Sequence, residues 1–313
     1  MLHFPDDINS AIAEIAADHE HGAGWLARAS AHLLEDVCAR AQSGKTLRLV
    51  HDVARELAAS RPSMAAVANT VALVWHASAF TGGANTTAER LRAMGEEAGR
   101  LQRLWDTAGP TIATHAAPLL TGALYTHSRS ATVEATLRAV AASSTERRII
   151  VGESRPGGEG VTLARSLLAD GWDVTLVADA ACGLMARAAN AVVIGADSVR
   201  SDGSVMNKVG SFPLALAARA AGVPFYVVCE TLKIAPTELP LALESLPPET
   251  LLAAPPTGLI VNTIAFDVTP ADLVTAVITE AGVVANAEIR RLAALASAAY
   301  AELMLPFPAP PAD

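Results

Sequence analysis

The chain has 313 residues, too many for one small core and suited to one large domain or two modest ones. It is 51% hydrophobic but only 4% aromatic, which suits Ala-, Leu- and Val-rich helices packed closely on a sheet. A formal charge of −9 argues against a general nucleic-acid binder, so any phosphate site must be local.

The N-terminus, MLHFPDDINS, has no basic region followed by an apolar one. No signal peptide is read there, and a cytoplasmic, reducing location is the expectation. Residues 7 to 107 read as helices. Apolar positions recur at three and four, as in Ile12, Ile15, Ala16 and again in Leu26, Ala29, Leu33. Pro62 and Gly82-Gly83-Ala84-Asn85 read as breaks. Met64 to Ala79 is apolar, but it is short for a membrane span and contains Asn69 and His76, so it reads as a buried helix. No membrane partner is expected. Cys38, Cys182 and Cys229 are scattered, without metal-ligand spacing or a disulfide framework. They read as core residues, and no metal is expected.

From Gly122 the pattern changes. Short apolar runs alternate with Ala-rich helical stretches: Ala123–Tyr125, Arg148–Val151, Val174–Val177, Val192–Ile194, Phe225–Val228 and Leu259–Val261. Strand alternating with helix predicts βαβ units and a parallel sheet. Each run ends in polar or ionisable residues. The ends are Thr126-His127-Ser128-Arg129, Glu153-Ser154-Arg155-Pro156-Gly157-Gly158, Asp179, Asp197, Glu230-Thr231-Leu232-Lys233, and Asn262 with Asp267 shortly after. In a parallel sheet such ends share one edge, and their convergence predicts a ligand site. Helix is expected again from Ala271 to about Leu303. The fold class is α/β: a helical N-terminal domain, 1–115, and a Rossmann-like domain with a parallel sheet and flanking helices, 116–313. No G-x-G-x-x-G follows the first strand, so no NAD or other cofactor is expected.

The stretch Val192 to Lys208 is the most informative. A buried strand ends in Gly195-Ala196-Asp197, and Asn207-Lys208 follow a turn at Ser201-Asp202-Gly203. A carboxylate and an ammonium at a pocket mouth suit an anionic substrate that needs a proton moved. The alternative is that Asp197 caps the next turn. Arg61, Arg155, Lys208 and Lys233 are candidates for phosphate, against the ordinary fate of a solvated surface charge. Gly22 and Gly24 could bring backbone N–H groups to a phosphate, or simply turn the chain between helices. His127 could polarise a substrate oxygen or hydrogen-bond a strand end. Asp179 could cap the helix after it. Ser211 with Pro213 reads as a helix start.

In order and spacing these motifs resemble a family. It joins the α, β and δ subunits of eukaryotic initiation factor 2B to isomerases of 5-methylthioribose 1-phosphate and ribose 1,5-bisphosphate. The resemblance runs from about His21 to Gly282. It is carried by His21-Gly22-Ala23-Gly24 with Ala27-Arg28, Arg61-Pro62-Ser63 with Asn69, and Glu153-Ser154-Arg155-Pro156 through Glu159-Gly160. Gly195-Ala196-Asp197, Asn207-Lys208-Val209-Gly210, Glu230-Thr231-Leu232-Lys233, Phe266-Asp267-Val268-Thr269-Pro270 and Ile278-Thr279-Glu280 complete it. The resemblance implies a site of Asp197 and Ser128, with Gly22, Gly24, Arg61, Glu153, Arg155, Asn207, Lys208 and Lys233 around the substrate. It implies a phosphorylated sugar as ligand and a homodimer or higher even oligomer. In the isomerases Thr-His-Cys follows the first strand and the Cys is catalytic; here Thr126-His127-Ser128 stands there. A thiol exchanges protons near neutral pH far more readily than an alcohol. The expectation is therefore an aldose-ketose sugar-phosphate isomerase if Ser128 suffices. The alternative is a non-catalytic regulatory subunit or metabolite sensor with a protein partner.

Overall fold

The computed structural model describes residues 7–18, 20–40, 44–79, 86–240 and 242–307. The chain divides into two compact units: 1–106 with 234–241 and 291–313, and 107–233 with 242–290. This differs from the sequence-based division at 115/116. The boundary falls inside a long helix, which no break in composition marks, and the C-terminal helix belongs mostly to the first unit.

The first unit is helical: α1 (Ile8–Ala17), α2 (Ala23–Arg40), α3 (Gly44–Ser60), α4 (Ala65–Ala77) and the start of α5 (Thr87–Ala116). Asp7 begins α1 by accepting the N–H of Asn9. Nearly every residue from Ala65 to Trp75 is buried, the mark of a helix enclosed on all sides. Among the described residues no helix is long and apolar enough to cross a membrane. The Gly82–Asn85 break lies outside the described residues. The last helix, α10 (Asn286–Met304), is tied into this unit near its end. His51 Nε2 lies 3.0 Å from the Leu303 carbonyl, and His76 pairs with Glu302.

The second unit alternates strand and helix. It contains β1 (Leu124–His127), α6 (Ala131–Ser143), β2 (Arg148–Gly152), α7 (Glu159–Ala169), β3 (Asp173–Val177), α8 (Cys182–Met185), β4 (Ala191–Ile194), β5 (Ser198–Val199) and β6 (Val205–Lys208). After these come α9 (Ser211–Ala221), β7 (Phe225–Val228), β8 (Phe266–Thr269), β9 (Ala276–Thr279) and β10 (Gly282–Val284). The main sheet has the order β10-β9-β7-β4-β1-β2-β3; β10 is antiparallel and the other pairings are parallel. β1 and β4 are buried throughout, which is why their runs are continuously apolar rather than alternating. β5, β6 and β8 form a separate antiparallel sheet.

Five of the six expected runs are strands of the main sheet. Leu259–Val261 is not: it is irregular, and Ile260 is 93% exposed. Pro255, Pro256 and Gly258 precede it, and it has no ladder partner. The sixth parallel strand is β9, within the stretch expected to be helix. Val277, Ile278 and Thr279 pair with Val227 and Val228 of β7 and with β10. β-branched side chains suit that pleated surface better than a helix. The helix starts only at Asn286.

Candidate active site

Strand order places the site. The chain runs β1, β2, β3 away from one side of β1, then resumes with β4 on the other side. At such a reversal a crevice opens beyond the carboxyl ends of the two central strands. Ser128 directly follows β1, and Asp197 follows β4 after Gly195-Ala196. The two are half-buried on either side of the reversal. Gly195 permits the close approach of these ends, since a Cβ there would lie 2.8 Å from the Ser130 side chain. Ser130 itself begins α6.

The loop after β2 is held by its neighbours. Ser128 and Ser154 both have left-handed backbones, with φ of 63° and 65°. The Ser128 N–H donates to Ser154 Oγ at 2.8 Å. Asp179, beyond β3, accepts the N–H of Ser154 at 2.8 Å and of Arg155 at 2.7 Å. Asp179 thus organises the neighbouring Glu153–Pro156 loop, rather than capping a helix with its side chain. Glu153 is half-buried, and its N–H donates to the Val177 carbonyl at 2.9 Å.

His127 closes the floor. Its Nε2 is 2.8 Å from the Val209 carbonyl, which only accepts, so Nε2 carries the proton. Burial pushes the imidazole below its ordinary value, against the opposing pull of the Val209 carbonyl and of Asp179. The ring is therefore neutral at pH 7, and its 3.6 Å contact with Asp179 is not an ion pair. Val209 belongs to the loop between β6 and α9. Asn207 Nδ2 donates to Ser211 Oγ at 2.9 Å, and Ser211 Oγ donates to the Lys208 carbonyl at 2.7 Å. Asn207 is buried and shapes this loop. Asp267 of β8 accepts the Gly210 N–H at 2.7 Å and the Phe212 N–H.

The cationic candidates already have partners within the protein. Lys208 is buried and its Nζ lies 2.6 Å from Glu159 Oε1. Lys233 is buried and pairs with Glu230 at 3.1 Å. Burial would lower the Lys233 pKa, but Glu230 first and Asp197 next outweigh it and raise it. That coupling places Asp197 within electrostatic reach of Lys233. Glu230 is raised by burial and lowered more strongly by Lys233 and the Thr132 hydroxyl, for a net lowering. Arg155 is exposed and donates to the Leu251 carbonyl at 3.0 Å.

Gly22, Gly24 and Arg61 belong to the first unit. The Gly22 carbonyl accepts the N–H groups of Trp25 and Leu26, so Gly22 opens α2. Gly24 lets the Trp105 ring approach: a Cβ there would sit 3.2 Å from it. Arg61 is buried and donates to the Asp18 carbonyl.

No cysteine compensates for Ser128. Burial pushes the Cys38 thiol up to about 12, and it also raises Cys182 and Cys229. Glu159, Asp179 and Asp267 are the site residues that sequence reasoning left without an assigned role or gave a different one. Each is a carboxylate whose partner lies far along the chain; the strand ends pointed to Asp179 and Asp267, and the motif order to Glu159 and Asp267.

Residues 19–286 match the Initiation factor 2 subunit family. The chain belongs to this family. A translation initiation factor eIF-2B subunit 2-like protein of Pyrococcus horikoshii is 30% identical over 282 residues, covering 90% of this chain and 97% of that protein. A methylthioribose-1-phosphate isomerase of Desulfitobacterium hafniense is 36% identical over 207 residues, 61% of this chain and 59% of that one. A ribose 1,5-bisphosphate isomerase of Archaeoglobus fulgidus is 34% identical over 167 residues, 51% of this chain and 52% of that one. Among solved structures, a translation initiation factor eIF-2B of Pyrococcus horikoshii OT3 superposes with a TM-score of 0.77 at 28% identity, covering 90% of this chain and 98% of that one. This chain is similar both to initiation-factor-like proteins and to sugar-phosphate isomerases.

Proposed function

We propose that this member of the family binds a phosphorylated pentose beyond the carboxyl ends of β1 and β4 and interconverts its aldose and ketose forms. The observation that carries this reading is the placement of Asp197 and Ser128 on either side of the strand-order reversal. Asp197 takes a proton from one substrate position and returns it to the next, so the atom inventory is unchanged, as isomerisation requires. Lys233 stands within electrostatic reach of Asp197. Ser128 holds a substrate oxygen by hydrogen bonding, since an alcohol does not ionise near neutral pH. Arg155 and Lys208 supply positive charge for phosphate. Similarity to two sugar-phosphate isomerases supports the substrate class.

A second reading has its own support. The relative matched over 97% of its length is initiation-factor-like, and the family's catalytic Cys position holds Ser128. On that reading the pocket is retained as a metabolite sensor in a regulatory subunit. Phosphorus NMR of the purified protein with ribose 1,5-bisphosphate separates the two. Ketose-phosphate resonances appearing over hours establish the isomerase. Shifted or broadened phosphate lines without new species establish the sensor. We further propose a homodimer or higher even oligomer, checked by light scattering.

A further inference from the structure

The Ser128 side chain is aimed by its backbone, and that backbone is uncommon. Among the described residues, Ser128 and Ser154 are the non-glycine positions with left-handed φ. A non-glycine residue keeps such a conformation only where its surroundings over-determine it, and these conformations gather at functional sites. The sign of φ fixes where Cβ stands relative to the preceding peptide. Relaxing Ser128 to an ordinary negative φ would therefore swing its side chain about the N–Cα bond. The hydrogen bond that opposes this runs from the Ser128 N–H to Ser154 Oγ at 2.8 Å, between residues 26 positions apart in the chain.

The Ser154 hydroxyl is itself fixed by the fold. It has one proton, which it donates to the Gly152 carbonyl at 3.0 Å, leaving an oxygen lone pair for the Ser128 N–H. His127 Nδ1, 3.5 Å away, carries no proton and so leaves that lone pair to Ser128. Asp179 accepts the Ser154 N–H on one carboxylate oxygen and the Arg155 N–H on the other. Gly160, in the first turn of α7, lets that turn close over the hydroxyl: a Cβ there would collide with the Gly152 carbonyl and lie 2.8 Å from Ser154 Oγ. Ser154 is fully buried, so it reaches a ligand only through Ser128.

We propose that Ser154 is the positioning residue for Ser128: its hydroxyl holds the Ser128 backbone left-handed and so sets the direction from which the Ser128 side chain meets the substrate. The inference rests on the isomerase reading above. It deepens that reading by naming a residue that touches no substrate and acts through one that does.

A double-mutant cycle on the full chain tests it, with turnover of ribose 1,5-bisphosphate followed by phosphorus NMR. Ser154→Ala is expected to lower kcat about tenfold or more, the scale of a misplaced reacting group, with KM changed less than about twofold. Ser128→Ala is expected to lower kcat by at least as much. In the Ser128→Ala background, Ser154→Ala should then cost nothing further, because the side chain that it aims is gone. A merely structural role would cost the same factor in both backgrounds. Ser154→Gly, which takes a left-handed φ without strain, repeats the cycle should the alanine variant fail to fold. Multiplicative losses in the cycle overturn the role of Ser154 and leave the isomerase reading standing. So does a natural turnover that Ser128→Ala leaves unchanged. No ketose phosphate from either the natural chain or Ser128→Cys overturns the isomerase reading and this inference with it.

Discussion

The carboxylate of Asp267 accepts the backbone N–H of Gly210 at 2.7 Å, joining the small antiparallel sheet to the loop between β6 and α9. That loop in turn offers the Val209 carbonyl to His127. A single carboxylate on β8 thereby sets the position of two other elements at the crevice.

Burial raises the Asp267 pKa from 3.8 to about 6, although the two N–H bonds act the other way. The folded state therefore holds this proton more tightly than the unfolded chain. Its contribution to stability falls as pH rises from about 4 to about 6, by roughly 3 kcal/mol across the window. Asp267→Asn keeps one acceptor oxygen and abolishes the titration. Thermal melts between pH 5 and pH 8 should show a smaller loss of stability with rising pH in the variant than in the wild type. Identical profiles would refute the assignment.

Gly210 has φ of 106°, and a Cβ there would lie 2.7 Å from the His127 ring. Gly210→Ala meets both the backbone penalty and the imidazole. A loss of about 2–4 kcal/mol is expected by urea unfolding. Ligand affinity should fall as well, because Lys208 ends β6 directly before this loop.

Glu230 and Lys233 are both buried at the end of β7. Glu230→Gln or Lys233→Met alone leaves the other charge buried without its partner and should cost about 3–5 kcal/mol. The double variant should recover much of that loss. Additive losses in a double-mutant cycle would show that the pair is not coupled.

If the chain turns over sugar phosphate, Asp197→Asn should lower kcat by at least about 100-fold, the scale of a lost general acid-base group. Ser128→Cys should act in the opposite direction. A thiol of pKa near 8.5 exchanges protons at neutral pH, so turnover should rise by about tenfold or more. Unchanged turnover in both variants would remove these two residues from the chemistry.

The sequence by itself determined the alternation of apolar strand and helix through β1, β2, β3, β4 and β7, but not β5 and β6 between them. Continuous apolar runs such as Val192–Ile194 can be satisfied only inside a sheet covered on both faces. It also determined which residues terminate those strands, because the polar residues after each run are local features. It could not determine the strand order. The order depends on which strand β4 pairs with, and that pairing is what places Asp197 across from Ser128. Local reading also misassigned Leu259–Val261 and the segment before Asn286. An apolar triplet becomes a strand only if a neighbour offers its backbone groups, and β7 offers them to Val277 and Ile278 instead. The partners of Glu159, Asp179 and Asp267 were hidden for the same reason. Their contacts span 49, 24 to 25 and 55 to 57 residues, and only tertiary packing brings such groups within hydrogen-bonding distance.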